Sequence, residues 1–586
     1  MMVEVRRSPI LWTIPFLITV CVVAFPACAK YGGGSGTANE PYQIAAAADL
    51  IALGENPEDY GKHFKLTADI DMNDVSSADW PGIGGGGIAF RGTFDGAGNS
   101  ILHFTSVSHG RQDVGLFGQV RGPEAEIRDL RLVAPYVDAG TGNYVAALVG
   151  RLSSGTITGC RIERAYVAGD TFVGGLAGWS GGIISQCSLD GDIQGRHTTG
   201  GLVGINGPDA EIRDCHAEAH VTGTTRLGGL VGACWLAQIH NCSTAGQIDG
   251  QSYIGGLVGA SEGAIVDNCY STMSTSGLSL AGGLVGQNAW SCDCSRGSKF
   301  SEIRTCYAAG RVSAETDVGG LVGLNGEGCI VERSFWDLET SGQASSDGGA
   351  GLTTAEMQAV ATYLQAGWDF TEETENGTED IWWILEGWDY PRLWWEELVV
   401  DDFESYDDDQ NLIFDTWIDG WDIPENGSVV GCLWPITPCP RIMHDGRQSM
   451  PYDYNNSGSA HYSEATANIA DLEVTHDWTH SGVQTLSLWF LGDPANDPEL
   501  MYVALANPEG PSAAVHHKDP NATRASTWTE WKIPLTEFSN RGVILTDIDT
   551  ISIGFGDRAD PQPGGSGTMY FDDIRLHRPL FPLARE

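Results

Sequence analysis

The five-residue sequence GGLVG occurs five times in this chain and constrains the fold more than any other feature. It begins at Gly200, Gly228, Gly255, Gly282 and Gly319. Looser copies extend the series, so that a leucine recurs every 26–32 residues and once after 37, at Leu116, Leu148, Leu176, Leu202, Leu230, Leu257, Leu284 and Leu321. Such a period is typical of repeat proteins, in which one unit cannot bury its own apolar face and neighbouring units must stack.

Each repeat contains two or three short β-type runs separated by Gly, Asn, Asp and Ser, and it has no room for a convincing helix. Stacked runs of this kind predict an all-β fold, a right-handed parallel β-solenoid with the repeated leucine pointing inward. We expect the glycine pair to permit a tight corner or a positive φ. The longest interval between successive leucines contains Asn288–Lys299, which we interpret as a loop inserted in one turn.

A column of cysteines runs in phase with the leucines, at Cys160, Cys187, Cys215, Cys242, Cys269 and Cys306. Neighbouring turns of a solenoid lie about 4.8 Å apart, a distance that a disulfide can bridge. However, stacked side chains point in parallel, whereas the torsion about an S–S bond prefers about 90°. We therefore favour stacked, buried free thiols over disulfides.

The segments VGGLAG, TTGGLVG and YIGGLVG resemble the GLUG motif of exported bacterial surface proteins. The flanking sequences extend this resemblance over roughly Tyr31 to Glu397. It implies an N-terminal cap and entry segment at residues 30–110, the solenoid at 111–345 and a C-terminal cap at 346–398. It also implies a surface or adhesion-like protein, although the motif has no assigned chemistry.

Both ends of the predicted solenoid contain helix signals, as expected for caps that cover open sheet edges. Ile44–Leu53 is Ala-rich and predicts a short helix. Thr353 and Glu356 form a capping-box pattern for a second helix, which Gly367 ends. A tryptophan-rich stretch follows, and we interpret it as the apolar plug of the last turn rather than a carbohydrate platform; it contains Trp382, Trp383, Trp388, Trp394 and Trp395.

Residues 1–29 have the pattern of a signal peptide. Arg6 and Arg7 precede the apolar run Ile10–Phe25, and an A-x-A site predicts cleavage after Ala29. We therefore expect a secreted or cell-surface protein, and the later sequence contains no apolar segment of membrane-spanning length. The chain has 32 Lys and Arg against 77 Asp and Glu, a net charge of -45. This balance disfavours nucleic acid or an anionic membrane as a partner.

The repeat pattern stops near Val399, and alternating runs predict an antiparallel jelly-roll β-sandwich over residues 399–586. Its opening DDFE and closing FDDIRL resemble carbohydrate-binding modules and galactose-binding-like domains, whose first and last strands are neighbours. In those domains acidic residues of the two strands often hold a structural Ca²⁺. The resemblance implies Asp402, Glu404 and Asp572 as calcium ligands, with solvated strand-end charges as the alternative.

Aromatic and amide side chains cluster near Tyr452 and suggest a sugar site, because rings stack on sugars and amides bond hydroxyls. The alternative is a Tyr- and Asn-rich turn without a ligand. The predicted glycan-binding residues are Tyr452, Tyr454, Asn455, Asn456 and Trp478. Cys432 and Cys439 stand seven residues apart in an expected exported protein, so we predict a disulfide between them.

The sequence shows no arrangement of residues that identifies a catalytic acid, base or nucleophile. It lacks the H-E-x-x-H pattern of zinc proteases and the G-x-S-x-G elbow. The leading hypothesis is therefore a non-catalytic surface or matrix protein, in which a rigid solenoid presents a calcium-stabilised, glycan-binding sandwich. Two alternatives stay open: a polysaccharide lyase or hydrolase with its site on the solenoid, and a structural component that adheres to other proteins.

Overall fold

The computed structural model describes residues 30–577, apart from 294–296, 372, 397, 408, 410, 434–435, 438–441, 445–447, 473, 480–481 and 559. Strands make up about 45 % of the structure and helices about 8 %, which confirms the all-β prediction. Among the described residues, no helix combines the length and apolar character needed to cross a membrane.

The first part of the chain is a parallel β-solenoid of about 10 turns, as the repeat predicts. Its turns contribute strands to three sheets, here named sheets A, B and C. Sheet A contains eleven strands, Tyr42–Ile44, His63–Leu66, Thr93–Asp95, Glu126–Arg128, Thr156–Thr158, Ile183–Ser185, Glu211–Arg213, Gln238–His240, Ile265–Asp267, Glu302–Arg304 and Ile330–Glu332. Sheet C contains eight strands, Phe117–Val120, Val149–Leu152, Ala177–Ser180, Val203–Asn206, Val231–Trp235, Val258–Glu262, Val285–Ala289 and Val322–Asn325.

Sheet B is the largest sheet, because most turns contribute either one long strand or several short ones to it. Its nineteen strands are Ile70–Asp71, Ser100–Leu102, Thr105–Val107, Arg131–Val133, Tyr136–Asp138, Asn143–Val145, Arg161–Gly174, Ser188–Gly200, His216–Gly228, Ser243–Asp249, Ser252–Gly255, Tyr270–Ser271, Ser274–Ser276, Ser279–Gly282, Tyr307–Ala308, Val312–Ser313, Thr316–Gly319, Phe335–Asp337 and Ala350–Leu352. The segment predicted as an inserted loop contains a hairpin of Ser291–Asp293 and Gly297–Lys299.

The GGLVG motif is architectural, but its glycines act by close packing rather than by unusual dihedral angles. The repeated leucines are fully buried. A Cβ on Gly201 would lie 2.0 Å from the carbonyl oxygen of Gly229 in the next turn, and one on Gly229 would lie 2.1 Å from that of Gly256. The motif glycines keep φ outside the left-handed region. Glycine is therefore required because a side chain would collide with the neighbouring turn.

Left-handed backbone occurs instead at non-glycine corners that recur once per turn. Asp214, Asn241 and Asn268 have φ of 54°, 51° and 52°, and each immediately precedes a cysteine of the column. Short polar residues tolerate this conformation better than branched ones. The six cysteines of the column are buried free thiols, which agrees with the sequence prediction. Each Sγ contacts the carbonyl oxygen two residues earlier, as Cys242 does with that of His240 at 3.1 Å.

The predicted cap helices are present. The first helix spans Ala47–Glu55. The capping box of Thr353 and Glu356 forms as predicted, followed by short helices and by Gly367 at a φ of 80°. Among the residues that the structure describes, the helices are Ala47–Glu55, Leu338–Ser341, Thr354–Met357, Val360–Gln365, Ile413–Thr416 and Thr536–Ser539, and 3-10 turns include Pro57–Asp59, Ile469–Asp471 and Ala522–Arg524.

The tryptophan-rich stretch does not plug the last turn, which corrects the sequence interpretation. Trp382 belongs to an aromatic cluster that packs on Tyr270 and Tyr307, and this cluster is separate from the solenoid core. Both tyrosines occupy the same register position of sheet B. Trp383 instead belongs to the core of the following domain. Successive residues of a strand point to opposite faces, so the neighbours Trp382 and Trp383 connect the side of the solenoid to the sandwich. Trp388 is 74 % exposed.

The C-terminal part is a sandwich of two antiparallel sheets, here named sheets D and E, around an apolar core. Sheet D contains six strands, Leu398–Asp401, Ser428–Val430, Met450–Asn455, Thr485–Leu491, Thr529–Pro534 and Ser566–His577. Sheet E contains five, Trp417–Ile418, Tyr462–Asn468, Met501–Ala506, Ser512–His516 and Thr550–Gly556. Two-residue strands form two further hairpins, Trp382–Trp383 with Arg392–Leu393 and Cys432–Leu433 with Ile436–Thr437. The first and last strands of sheet D are neighbours, as the resemblance implies.

Candidate functional site

The outer face of sheet D carries the aromatic group that we consider the candidate site, defined by Trp489, Trp528 and Tyr570. Trp489 alternates with the buried Leu488 and Phe490, so its ring points away from the core. Leu491, two residues further on, is in register with Tyr570 on the neighbouring strand. Trp528 directly precedes the strand on the other side. All three rings are half-buried, as expected for side chains that keep an accessible face.

His444 adds a fourth ring to this group and packs on the outer face of Trp489. Its imidazole stacks on Trp489 with ring centroids 3.7 Å apart, and its ring lies edge-on to Trp528 at 5.8 Å. His444 is itself buried. The histidine therefore joins the two tryptophans into one surface and covers part of Trp489.

Two buried carboxylates hold His444 in place. Its backbone N–H donates to Asp572 at 2.7 Å, and its Nδ1 lies 2.6 Å from Asp573. Arg575 donates to the other oxygen of Asp573 at 2.6 Å. Burial alone would raise the pKa of Asp573, but the hydrogen bond with His444 and the charge of Arg575 lower it overall. Asp573 is therefore an ionised acceptor, and Nδ1 of His444 carries the proton.

The solenoid reaches this site as well. Arg131 of sheet B donates from Nη2 to the carbonyl oxygen of His444 at 2.7 Å, and its Nη1 lies 3.3 Å from Nε2 of the same residue. A guanidinium can only donate, so this contact is a hydrogen bond when Nε2 accepts. Arg131 also donates to the buried carboxylate of Glu163. The candidate site therefore lies where the sandwich meets the side of the solenoid.

Four of the five predicted glycan-binding side chains lie inside the sandwich, which corrects that expectation. Tyr452, Tyr454, Asn456 and Trp478 are at most 1 % exposed. Tyr452 donates to the carbonyl oxygen of Ile553, and a sugar cannot stack on a ring that has no accessible face. Tyr452 and Tyr454 alternate along one strand with the outward-facing Asp453 and Asn455, which places the tyrosines on the core side. Asn455 alone is exposed.

The three predicted calcium ligands accept hydrogen bonds from the protein itself. Asp572 accepts from the N–H of His444 and of Asp573, Glu404 accepts from the N–H of Gln448, and Asp402 accepts from the N–H of Glu404. Within the described ranges, no group of three or more His, Cys, Asp or Glu converges as a metal site. Calcium binding at these residues therefore stays a prediction.

The predicted Cys432–Cys439 disulfide also stays a prediction. Cys439 lies outside the described residues, and the description of Cys432 covers only its backbone, in the strand Cys432–Leu433.

A second surface lies along sheet B of the solenoid. Tyr136 and Tyr166 occupy equivalent positions in successive turns, and their rings stack 4.8 Å apart. The next two turns place Asp192 and then His220 in the same register. His220 lies 3.4 Å from Asp192 and 3.2 Å from Asp249. These side chains are largely exposed, so the surface is open rather than a groove.

The sequence analysis missed Trp489, Trp528, Tyr570 and His444. The signal for Trp489 was present, because it stands between core residues in the alternating run VQTLSLWFLG. His444 had no comparable signal, because its position depends on residues from three distant segments.

Comparison with known proteins supports the repeat. The family described as the GLUG motif matches residues 195–222 and 250–276. Halomucin of Haloquadratum walsbyi is 30% identical over 181 residues, which cover 29% of this chain and 2% of Halomucin. A protein of Evansella cellulosilytica, named as a Gly-rich membrane protein, is 32% identical over 194 residues, 31% of this chain and 22% of its own length. The matched region is thus a small part of either relative.

Solved structures similar to the two parts of the chain are more distant. A Bacteroides ovatus protein named as an immunoglobulin A1 protease has 18% identity and a TM-score of 0.35, covering 63% of this chain and 96% of its own. A family 11 carbohydrate-binding module from Clostridium thermocellum, in complex with a mixed-linked tetrasaccharide, has 16% identity and a TM-score of 0.20. The match covers 31% of this chain and 95% of the module. The chain thus carries GLUG-motif repeats in a parallel β-solenoid, followed by antiparallel sheets.

Proposed function

We propose that this chain is an exported, non-catalytic surface or matrix protein that binds glycan through the outer face of sheet D. The observation that carries the proposal is the group of Trp489, Trp528 and Tyr570, three half-buried aromatic rings on neighbouring strands of one face. Saccharide sites combine such rings, which stack on the apolar face of a sugar, with a few polar groups that bond its hydroxyls.

Polar side chains suited to sugar hydroxyls surround the rings. Glu530 is in register with Trp489, and Asp453 accepts a hydrogen bond from Thr568 at 2.5 Å on the same outer face. Lys532 pairs with Glu530 at 3.0 Å. The relatives named as Halomucin and as a membrane protein support the surface location.

The test is affinity electrophoresis and calorimetric titration of the full chain with neutral polysaccharides, including a mixed-linked β-glucan and a xylan. Trp489→Ala should weaken binding at least tenfold. Trp421→Ala is the matched control, because Trp421 is 68 % exposed and lies outside the aromatic group. Binding that is equal in both variants, or no binding to any polysaccharide, would contradict the proposal.

A hydrolytic site on sheet B is the second candidate, favoured by one observation. Asp192 and Asp249 both lie within 3.4 Å of His220. Inverting glycoside hydrolases also use two nearby carboxylates, which lie about 6.5–9.5 Å apart. Release of reducing ends from a polysaccharide, lost in Asp192→Asn and kept in Asp170→Asn, would favour this function. No release would leave the binding function as the conclusion.

A further inference from the structure

A second pocket, unrelated to the aromatic group, lies on the solenoid at the N-terminal edge of sheet C. Its volume is about 530 Å³, within the range of about 300–1,000 Å³ that is usual for ligand sites. Its lining includes Arg91, Arg121, Gln119, Ser154 and Ile88. Gly87, the last residue of the glycine-rich loop at residues 82–87, also lines it.

Two arginines of this pocket stand at equivalent positions of successive turns. Phe90 and Val120 form a parallel bridge, so the residues that follow them, Arg91 and Arg121, occupy equivalent positions. Neighbouring turns lie about 4.8 Å apart, and two like charges at facing positions repel each other. An anion between the two guanidinium groups would remove this repulsion.

A third arginine lies against the glycine loop. A Cβ on Gly82 would come within 2.9 Å of Nη2 of Arg111, and one on Gly85 within 3.4 Å. The guanidinium group of Arg111 therefore lies close to the backbone of this loop. Arg111 thus lies at the glycine-rich loop, while Arg91 and Arg121 line the pocket itself.

These arginines have no carboxylate partner among the residues that the structure describes. Other outward-facing arginines of the solenoid do have such a pair, for example Arg128 with Asp95 at 2.8 Å and Arg304 with Glu332 at 2.9 Å. In a chain with 77 acidic residues, the two arginines that line this pocket thus keep a positive charge that no carboxylate neutralises. The nearby Asp113 already accepts from Arg151 and Gln119.

We propose that this pocket binds the anionic group of an acidic saccharide, a uronate carboxylate or a sulfate ester. Guanidinium groups recognise such oxyanions through two parallel hydrogen bonds. Ile88, which is 47 % exposed, offers an apolar contact for the sugar ring. The net charge of -45 repels densely charged polyanions, which favours a ligand with one or two charges over a nucleic acid or a polyphosphate.

The experiment is calorimetric titration of the full chain at low salt with three probes: a trigalacturonate, a monosulfated galactan trisaccharide and the uncharged galactan trisaccharide. We expect one or both charged probes to bind and the uncharged one to bind at least tenfold more weakly. The charged probe that binds identifies the source of the oxyanion. Equal binding of all three probes, or of none, would overturn the proposal.

Matched variants locate the binding. The double variant Arg91→Ser, Arg121→Ser should weaken the charged probe at least tenfold, with an unchanged melting temperature because both side chains are exposed. Arg311→Ser removes the same charge from another face of the solenoid and should have no effect. Trp489→Ala should also have no effect, which separates this pocket from the site on sheet D. Charged-probe binding that survives the double variant would overturn the proposal. If the double variant lowers the melting temperature, Arg91→Lys and Arg121→Lys, which keep the charge, should restore both stability and binding.

Discussion

Arg131 of the solenoid donates a hydrogen bond to the carbonyl oxygen of His444 of the sandwich at 2.7 Å, although the two residues are 313 positions apart. The cap segment follows the same side of the solenoid, since Glu396 accepts from Ser243 at 2.6 Å and from Tyr270 at 2.8 Å. The sandwich therefore docks against the side of the solenoid. A solenoid that acted as a spacer would instead carry the sandwich beyond its last turn.

Arg131→Ala should loosen this junction. The variant removes the bonds to His444 and one partner of the buried Glu163, at a cost of about 1–3 kcal/mol. We expect a larger radius of gyration in small-angle X-ray scattering and faster proteolysis near residues 398–412. Arg128→Ala is the control, since Arg128 pairs with Asp95 and Glu126 on the solenoid alone. An unchanged radius in the Arg131 variant would show that this contact does not hold the two parts together.

Gly229→Ala should destabilise the solenoid strongly. The added Cβ would lie 2.0 Å from Sδ of Met273 and 2.1 Å from the backbone oxygen of Gly256, so the next turn must move. We expect a loss of about 3 kcal/mol or more in the free energy of unfolding. Gly61→Ala is the control, because its Cβ would meet nothing within 4 Å, and it should change stability by less than about 0.5 kcal/mol. Similar denaturation midpoints for the two variants would refute this packing role.

The cysteine column should be chemically silent in the folded protein. All six side chains are at most 2 % exposed, which keeps a reagent away from the sulfur atoms, and burial also raises the pKa of the Cys187 and Cys242 thiols well above the ordinary value. Cys329 is only partly buried and serves as the internal control. Peptide-resolved labelling with iodoacetamide should modify Cys329 in the native state and the column only after denaturation. Column cysteines that stay unlabelled in denaturant without reductant would indicate disulfides instead.

His216 should make the junction acid-sensitive. Burial, and next the charges of Arg392 and Arg575, lower the pKa of His216 from 6.5 to about 4. Between these values the unfolded chain binds a proton that the folded chain does not, so the free energy of unfolding falls as the pH drops from 6.5 to 4. The loss is at most about 1.4 kcal/mol per pH unit.

The measurement is the melting temperature at pH 7 and at pH 5 for the wild type and for His216→Gln, with His240→Gln as control. The difference between the two pH values should shrink in His216→Gln and persist in His240→Gln, whose side chain lies on sheet A. An equal difference in all three proteins would assign the acid sensitivity to other groups.

The sequence of a strand shows which side chains share a face, but it does not show which of the two faces is buried. The alternation in Met450–Asn455 is clear, but it is equally compatible with either face being buried. Tyr452 and Tyr454 resemble a sugar platform in the sequence, yet they fill the core because their face of the strand packs against sheet E, where Tyr452 contacts Phe555 and donates to the carbonyl oxygen of Ile553. Trp489 alternates with the buried Leu488 and Phe490 and lies on the outer face.

The sequence by itself determined the solenoid, its cap helices and the stacked cysteines. These features depend on local spacing that repeats every turn, so each unit specifies the same contacts as the next. Tertiary structure alone decided that the sandwich folds back to Arg131, that Trp382 and Trp383 serve two different cores, and that Arg91 and Arg121 face one pocket. Those contacts join segments with no common period, and their free energy depends on which surfaces meet after the separate parts have formed.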